Sequence, residues 1–421
     1  MPGRSGTGGD DVTTLRSRVC VAGGGPAGVL LGYLLARSNI EVVVLEKHAD
    51  FFRDFRGDTV HPSTLDVMAE LGLLDEFLEL PHTEIHRVTA LLGDTPVTIG
   101  DLTHLPTRCK YIALMPQWDF LNFLAAKGKR YPAFRLMMNA NVTGLIEENG
   151  TVVGVRATSA DGPLEIRAEL VVGADGRHST VREAAGLAVR DFGAPIDVLW
   201  LRINKGADDP NAALGHFIGG RLLVMLDRAD YWQCAYVIPK GGYDAIRARG
   251  LPAFRAELAL FVPPPAERLE QIRSWDDVKL LTVTIDRLDR WSKPGLLCIG
   301  DAAHAMSPMG GVGINLAIQD AVATANILVP VLRRGTAREV DLQLVQRRRT
   351  FPVRFIQGLQ LFAQDRIFRN VALSAPTANT KTPVPFPIRL LNAFPVLRRI
   401  PAYVVGVGPR PEHVRTPEVA A

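Results

Sequence analysis

The sequence predicts an α/β protein. A discontinuous Rossmann-like dinucleotide-binding domain is interrupted by a mostly antiparallel β-sheet domain and closed by a helical C-terminal region. Three observations predict it. An apolar strand passes through a glycine-rich turn, Gly23-Gly24-Gly25-Pro26-Ala27-Gly28, into a helix. Two further segments, 171–182 and 297–313, are also apolar strands feeding glycine-containing turns, far along the chain. Between them the pattern changes to short alternating runs, the period-2 signal of antiparallel strands.

Residues 1–17 are rich in Gly, Ser, Thr and Asp and lack an apolar core, which predicts a flexible tail and not a signal peptide. Residues 18–22 form a short apolar strand. Gly23 permits the tight turn after it, Gly25 lets the backbone approach a pyrophosphate, and Gly28 lets helix and strand pack closely. Ala27 lies between the last two, and the helix that opens here aims its N-terminal amides at phosphate. The next strand, 41–45, ends at Glu46, about 20 residues past the glycines, where an acid hydrogen-bonds a ribose. Its charge disfavours a 2′-phosphate, so the pocket suits FAD or NAD and not NADP. Asn39 stands where a glycine is usual, and Asn tolerates a left-handed backbone.

A loop with Arg53 and Arg56 precedes a helix over 63–74. Short alternating segments fill 81–114, and a helix follows from Gln117 to about 130. A hairpin over 142–155 turns on Asn149-Gly150. Strands are expected at 198–203, 221–226 and 232–238, with a helix at 253–260. Helical periodicity returns at 314–332 and 340–367. The chain beyond 374 is rich in proline, with an apolar, basic stretch at 390–407. This divides the chain into the tail 1–17, a nucleotide domain of 18–80, 107–186 and 280–335, a substrate domain of 81–106 and 187–279, and a C-terminal region 336–421.

Of the 421 residues, 22% are charged and 47% hydrophobic, and the formal charge is only +4, so nothing points to nucleic acid. The run Arg347–Arg349 reads as a solvated helix face. Cys20, Cys109, Cys234 and Cys298 form no CxxC pair, which fits reduced thiols in a cytoplasmic protein. No metal-ligand spacing occurs, and no uninterrupted apolar run is long enough to span a bilayer. The stretch 390–407 leaves open a weak peripheral contact with a membrane or a lipophilic substrate; core packing is the favoured reading.

Together the three segments point to a redox enzyme holding FAD. The turn 308–313 feeds a helix beginning near Ile314, whose amides and partial positive charge suit the anionic edge of a reduced flavin. Gly311 and Gly313 allow a planar ring to come close. Asp301, on a turn after an apolar strand, is placed for a cofactor, with helix capping as its bland alternative.

This arrangement resembles the single-component (group A) flavin-dependent monooxygenases, the p-hydroxybenzoate-hydroxylase-like aromatic hydroxylase superfamily, over roughly residues 18–367. The resemblance implies a glutathione-reductase-type FAD-binding domain. In it, Asp175 belongs to a motif touching FAD and the nicotinamide, and Asp301, after Gly300, hydrogen-bonds the ribityl chain. Backbone amides of the turn from Pro308 through Gly311, Gly313, Ile314 and Asn315 meet the pyrimidine edge. Arg53 and Arg56 match basic contacts to the pyrophosphate or nicotinamide, and Gln117 matches a ribityl-side position. His61, Tyr236 and Pro308 are the candidates for the reacting site. Trp200, Arg202, His216, Trp232 and Lys240 lie in the same sheet region. The implied activity uses NAD(P)H as transient co-substrate and O2 to hydroxylate a small aromatic substrate through a flavin hydroperoxide, in a monomer or homodimer. The absence of a second GxGxxG fingerprint fits a nicotinamide that docks and leaves. Of a halogenase Trp-x-Trp-x-Ile-Pro motif only Ile238-Pro239 is present. A flavin reductase or dehydrogenase acting on a C=C bond and a non-catalytic flavin-binding protein are the competing readings.

Overall fold

The computed structural model describes residues 12–52, 59–93, 95–206, 209, 214–228, 230–262, 266–368 and 384–419. Its helices are α1 (Pro26–Arg37), α2 (Pro62–Glu70), α3 (Leu74–Leu78), α4 (Gln117–Gly128), α5 (Thr180–Ala184), α6 (Tyr243–Ala248), α7 (Leu251–Leu258), α8 (Val312–Leu332), α9 (Glu339–Phe368), α10 (Phe386–Ala393) and α11 (Arg399–Gly406).

The first sheet runs Ser292–Lys293, Leu296–Cys298, Gly162–Gly173, Thr13–Ala22, Val42–Leu45, Phe134–Met137. Its four central pairings, from Leu296–Cys298 across to Phe134–Met137, are parallel. These strands are buried on both faces, which is why they read as continuous runs such as Val42–Leu45 and not as alternation. α1 and α8 pack on each other above the sheet. The hairpin Asn141–Glu148/Thr151–Ser159 extends from strand Gly162–Gly173 and turns on Asn149 (φ 50°) and Gly150 (φ 76°), both left-handed. Asn39 is left-handed as well, at φ 58°.

The first strand begins at Thr13, so residues 13–17 are not a tail. They pair in parallel with 164–168, with Leu15 opposite Ile166. Alternation too short to stand out in sequence is enough once a partner strand is present.

The second sheet has seven strands in the order Lys279–Leu281, Ile196–Asn204, Tyr231–Pro239, Arg221–Asp227, Leu214–Ile218, Arg87–Leu92, Thr95–Asp101. Chain segments more than a hundred residues apart thus share one sheet through the parallel pairing of Leu214–Ile218 with Arg87–Leu92. The sheet has two apolar faces. One carries Leu199, Leu201, Cys234, Tyr236 and Ile238 under α6 and α7. The opposite one carries Trp200, Ala235, Val237 and Leu222, and Met309 packs against it.

Residues Met309–Leu332 are long and apolar enough to cross a membrane by length and composition. In the fold, 78% of the most apolar window of that segment is buried, as in a core helix.

Candidate functional site

The three sequence segments come together because they leave the same edge of one sheet. Ala22 lies beside Leu45 and Gly173, and Gly173 beside Cys298, so three turns begin at the C-terminal ends of adjacent parallel strands. That edge is where open α/β sheets bind ligands. Backbone bonds lock the turns to one another: the Gly23 N–H donates to the Leu45 carbonyl (2.8 Å), Ala174 to Ala22 (2.7 Å) and Ile299 to Gly173 (2.9 Å).

Within this frame the glycines have different tasks. Gly23 has φ 111°, and a Cβ there would stand 2.3 Å from the Ala174 carbonyl oxygen. A Cβ on Gly28 would stand 1.9 Å from the Gly23 carbonyl oxygen, so this glycine sets the helix–strand distance. Gly25 faces open space, with nothing within 4 Å of its Cβ position. It is the N-cap of α1 and supplies no side-chain cap, leaving the first amides of the helix for an outside acceptor. A pyrophosphate fits this cradle. Ala27 is buried, and a Cβ on Gly300 would approach its Cβ to 3.2 Å and that of Ala317 to 3.4 Å, so α1, the 300-turn and α8 meet here. Glu46 is half-buried; its Oε2 accepts from the Gly24 N–H and its Oε1 from the His48 N–H, both at 3.1 Å.

The Asp175 carboxylate turns inward. It accepts from the Ser179 hydroxyl and from the Val181 N–H (3.1 Å) at the start of α5, and burial pushes its pKa up despite these bonds. Arg177, two residues on, reaches Asp301 at 3.6 Å and ties the second segment to the third. Asp301 sits inside a short 3-10 turn, Gly300–Ala302, that has no side-chain cap, so it does not cap the turn that carries it. Its carboxylate is about one-third exposed. Beneath it lies a buried charge network, which corrects the reading of Arg349 as part of a solvated helix face: that side chain points into the core, where Asp320 compensates its charge. Asp320 accepts from the Gly300 N–H (3.0 Å), from His304 Nε2 (2.6 Å) and from Arg349 Nε (2.8 Å). Burial alone would raise the Asp320 pKa, but His304 and Arg349 hold it below the ordinary carboxylate range.

The glycine turn before α8 is built from left-handed residues, Gly310 (φ 79°) and Gly311 (φ 63°), and Pro308 caps its first bend. The helix starts at Val312, two residues before Ile314, because Gly311 serves as its N-cap. Gly313 and Ile314 are half-exposed and lie in the first turn, where amides lack intrahelical acceptors. Two glutamine contacts hold the turn from α9: Gln360 Nε2 donates to the carbonyls of Ser307 (3.0 Å) and Met309 (2.9 Å).

Asn315 is buried, and its side chain is fully engaged with the protein. Its Oδ1 accepts from the His61 N–H (2.9 Å) and the Thr64 hydroxyl (2.7 Å), and its Nδ2 donates to the carbonyls of Thr59 and Gly311 (3.2 Å each). Only its backbone is left for a ligand. Thr59, which the sequence did not single out, also donates its hydroxyl to the Gly311 carbonyl (2.9 Å).

His61 is wholly buried beside this turn. Its Nδ1–H donates to the Val405 carbonyl of α11 (2.7 Å), burial lowers its pKa to about 4, and Nε2 has no partner among the described residues. The imidazole is thus tied to α11, while the His61 backbone N–H is held by Asn315 of α8.

Tyr236 does not reach this region. It belongs to the sheet face under α6 and α7, packs on Phe254 and Phe261, and donates its hydroxyl to the Glu257 carboxylate, with its pKa pushed up chiefly by burial. Its assignment to the reacting site is corrected: strand parity puts it opposite to Ala235 and Val237. His216 and Trp232 share the Tyr236 side, where His216 Nδ1–H donates to the Phe261 carbonyl (3.0 Å) and Trp232 Nε1–H to Asp209 (2.8 Å). Lys240 pairs with Asp197 (2.9 Å). Trp200 alone of the aromatic candidates faces Met309 and the turn, and its Nε1–H is buried without an acceptor among the described residues.

Residues 16–357 match the model of the family described as FAD binding domain. The chain belongs to that family. It is 33% identical over 375 residues to 6-methylpretetramide 4-monooxygenase of Streptomyces rimosus, a match covering 87% of this chain and 89% of that protein. It is 25% identical over 348 residues to para-nitrophenol 4-monooxygenase of Pseudomonas sp. (strain WBC-3), covering 79% and 83%. In fold it resembles P. aeruginosa PqsL in complex with 2-aminobenzoylacetate, with TM-score 0.71 and 24% identity over 84% of this chain and 99% of that one. The protein is an FAD-dependent monooxygenase of the aromatic-hydroxylase superfamily.

For the remaining positions of this monooxygenase, Arg53 and Arg56 lie outside the described residues. Gln117 is half-buried at the first position of α4, after the Pro116 N-cap. The strand before it, Ile112–Leu114, pairs with Thr59–Val60, which brings Gln117 to the same neighbourhood as His61. Among the described residues no group of three or more His, Cys, Asp or Glu could hold a metal ion. All four cysteines are free and buried, and burial pushes the Cys20 thiol up to about 12.

Proposed function

We propose that this monooxygenase uses NAD(P)H and O2 to hydroxylate a small, mostly apolar aromatic substrate lodged between the α8 turn and the Trp200 face of the second sheet. The observation that carries this reading is the packing of Met309, in the glycine turn at the start of α8, against the apolar cluster of Trp200, Ala235 and Val237. An amide-rich helix start thus lies opposite a dry wall.

FAD, when bound, would supply the redox chemistry by which NAD(P)H and O2 place one oxygen atom on an electron-rich ring and release the other as water. The protein's tasks are binding, orientation and water exclusion. The α1 start and Glu46 would hold the adenosine half, Asp301 the ribityl chain, and the Gly311, Gly313 and Ile314 backbone the pyrimidine edge. The partial positive charge of the α8 N-terminus would stabilise negative charge there. The unpaired Trp200 indole N–H would donate to a substrate oxygen, while its ring and the Val237 side exclude water. The names of the relatives, which act on 6-methylpretetramide and on para-nitrophenol, support an aromatic substrate.

The test is a screen of phenolic and heteroaromatic compounds for stimulated NAD(P)H oxidation, with product mass read under labelled O2. One labelled oxygen in the product is the expected result. Turnover without label points to C=C reduction or dehydrogenation, and no stimulation by any compound points to flavin binding without catalysis.

A further inference from the structure

The last two helices have one side packed in the protein and one side uncovered. α11 sets Ala402 and Val405 against Leu102, Leu105 and Ile112, and Val404 and Val405 against Met306 and Val312 beside the α8 turn. The outward side, with α10 and the connecting turn 394–398, carries large apolar side chains that nothing covers among the described residues. Phe386 is 67% exposed, Phe394 56%, Val396 59% and Ile400 61%. The expected core packing of 390–407 therefore describes only the inner half of this stretch.

Charge decides what could cover the outer half. From Arg366 to Pro411 the sequence has seven Lys or Arg and no Asp or Glu. Arg389 and Arg399 are exposed, and neither they nor Arg398 has a carboxylate within ion-pair distance among the described residues. Arg389 lies over the Phe386 ring at 6.0 Å, and Arg398 Nε donates to the Leu391 carbonyl (3.0 Å). A second copy meeting this face through a two-fold axis would bring the same cations against each other. The complement must be anionic and must also accept protruding aromatic and branched side chains. Basic amphipathic helices with such side chains lie in the headgroup region of bilayers.

We propose that α10 and α11 form a docking surface for an anionic lipid bilayer, with Phe386, Phe394 and Ile400 entering the headgroup boundary and Arg389, Arg398 and Arg399 on lipid phosphates. The docked face lies about one helix diameter, ~10 Å, from the turn that precedes α8, so an apolar substrate dissolved in the membrane would be delivered close to the site.

The test uses the full FAD-loaded chain and sedimentation with vesicles of phosphatidylcholine, alone or mixed with phosphatidylglycerol. The protein should sediment with the mixed vesicles at low salt, be released by high salt, and stay in solution with neutral ones. The triple change R389Q/R398Q/R399Q should weaken partition roughly 100-fold. Phe394→Ser with Ile400→Ser should weaken it about tenfold or more while keeping the salt dependence. The altered side chains are exposed or lie at the edge of the face, so flavin absorbance and melting temperature serve as controls for folding. Equal binding to neutral vesicles, no binding to anionic ones, or unchanged binding of the triple variant would overturn the proposal. Concentration-dependent dimerisation lost in Ile400→Ser, without vesicle binding, would overturn it in favour of a second copy.

Discussion

His61 shows how one buried side chain can make stability depend on pH. Its pKa falls from 6.5 to about 4 because burial penalises the imidazolium more than the bond to Val405 favours it. Between these values the unfolded chain binds the proton and the folded one does not, so stability is complete above pH 6.5 and declines as pH falls toward 4. The loss attributable to this residue reaches roughly 3 kcal/mol. His61→Asn keeps an N–H donor for Val405 and removes the titration, so its stability, measured by urea unfolding, should fall less steeply over that range. Parallel profiles for parent and variant would place the titration elsewhere. Asp301 is a different case, since its one-third-exposed carboxylate caps nothing and, among the described residues, pairs with Arg177. Asp301→Ala should lower FAD affinity by about 1–3 kcal/mol while the apo-protein melts as before. Equal FAD affinity by titration would remove Asp301 from the cofactor site.

At the scale of the strand–turn–helix unit, two glycines three residues apart predict opposite phenotypes. Gly25 has φ −75° and open space where a Cβ would stand. Gly25→Ala should therefore leave apo-protein stability nearly unchanged and weaken FAD binding tenfold or more, because the methyl group occupies the path of the pyrophosphate. Gly28→Ala forces a Cβ to within 1.9 Å of a backbone oxygen, so α1 must move off its strand. It should lower both thermal stability and FAD retention, by about 1–3 kcal/mol in stability. Differential scanning calorimetry with and without FAD separates the two, and an equal loss of apo stability in both variants would contradict the open cradle at Gly25.

At the scale of the whole molecule, the second sheet divides its residues between two environments. Tyr236→Phe removes a hydrogen bond to a buried carboxylate on the face away from the turn, so it should cost about 1–3 kcal/mol of stability with substrate KM unchanged. Trp200→Phe removes the unpaired indole N–H on the face toward Met309. It should raise substrate KM roughly tenfold, by loss of one hydrogen bond, and increase NAD(P)H oxidation without product. Steady-state kinetics with product quantification tests both, and a KM effect confined to Tyr236→Phe would reverse the two faces.

The local backbone of the nucleotide unit was legible in the sequence because its signals are short-range. Gly23, Gly25 and Gly28 act through steric limits within a few residues, the Asn149-Gly150 turn through its own left-handed φ values, and Glu46 through its place at a strand end. Apolar runs and their periods likewise marked the parallel strands, α8 and α9. Tertiary structure alone decided which side chains face the site. Strand parity put Tyr236 under α6 and α7 and Trp200 toward Met309, and a one-residue difference in register, invisible in a run apolar on both faces, exchanges the two. Long-range partners decided the rest: Asn315 turned to Thr64 and His61, Asp320 to His304 and Arg349, and α11 came from the far end of the chain to accept the His61 proton donor. Such pairings depend on which distant segments pack together, and no local spacing records that.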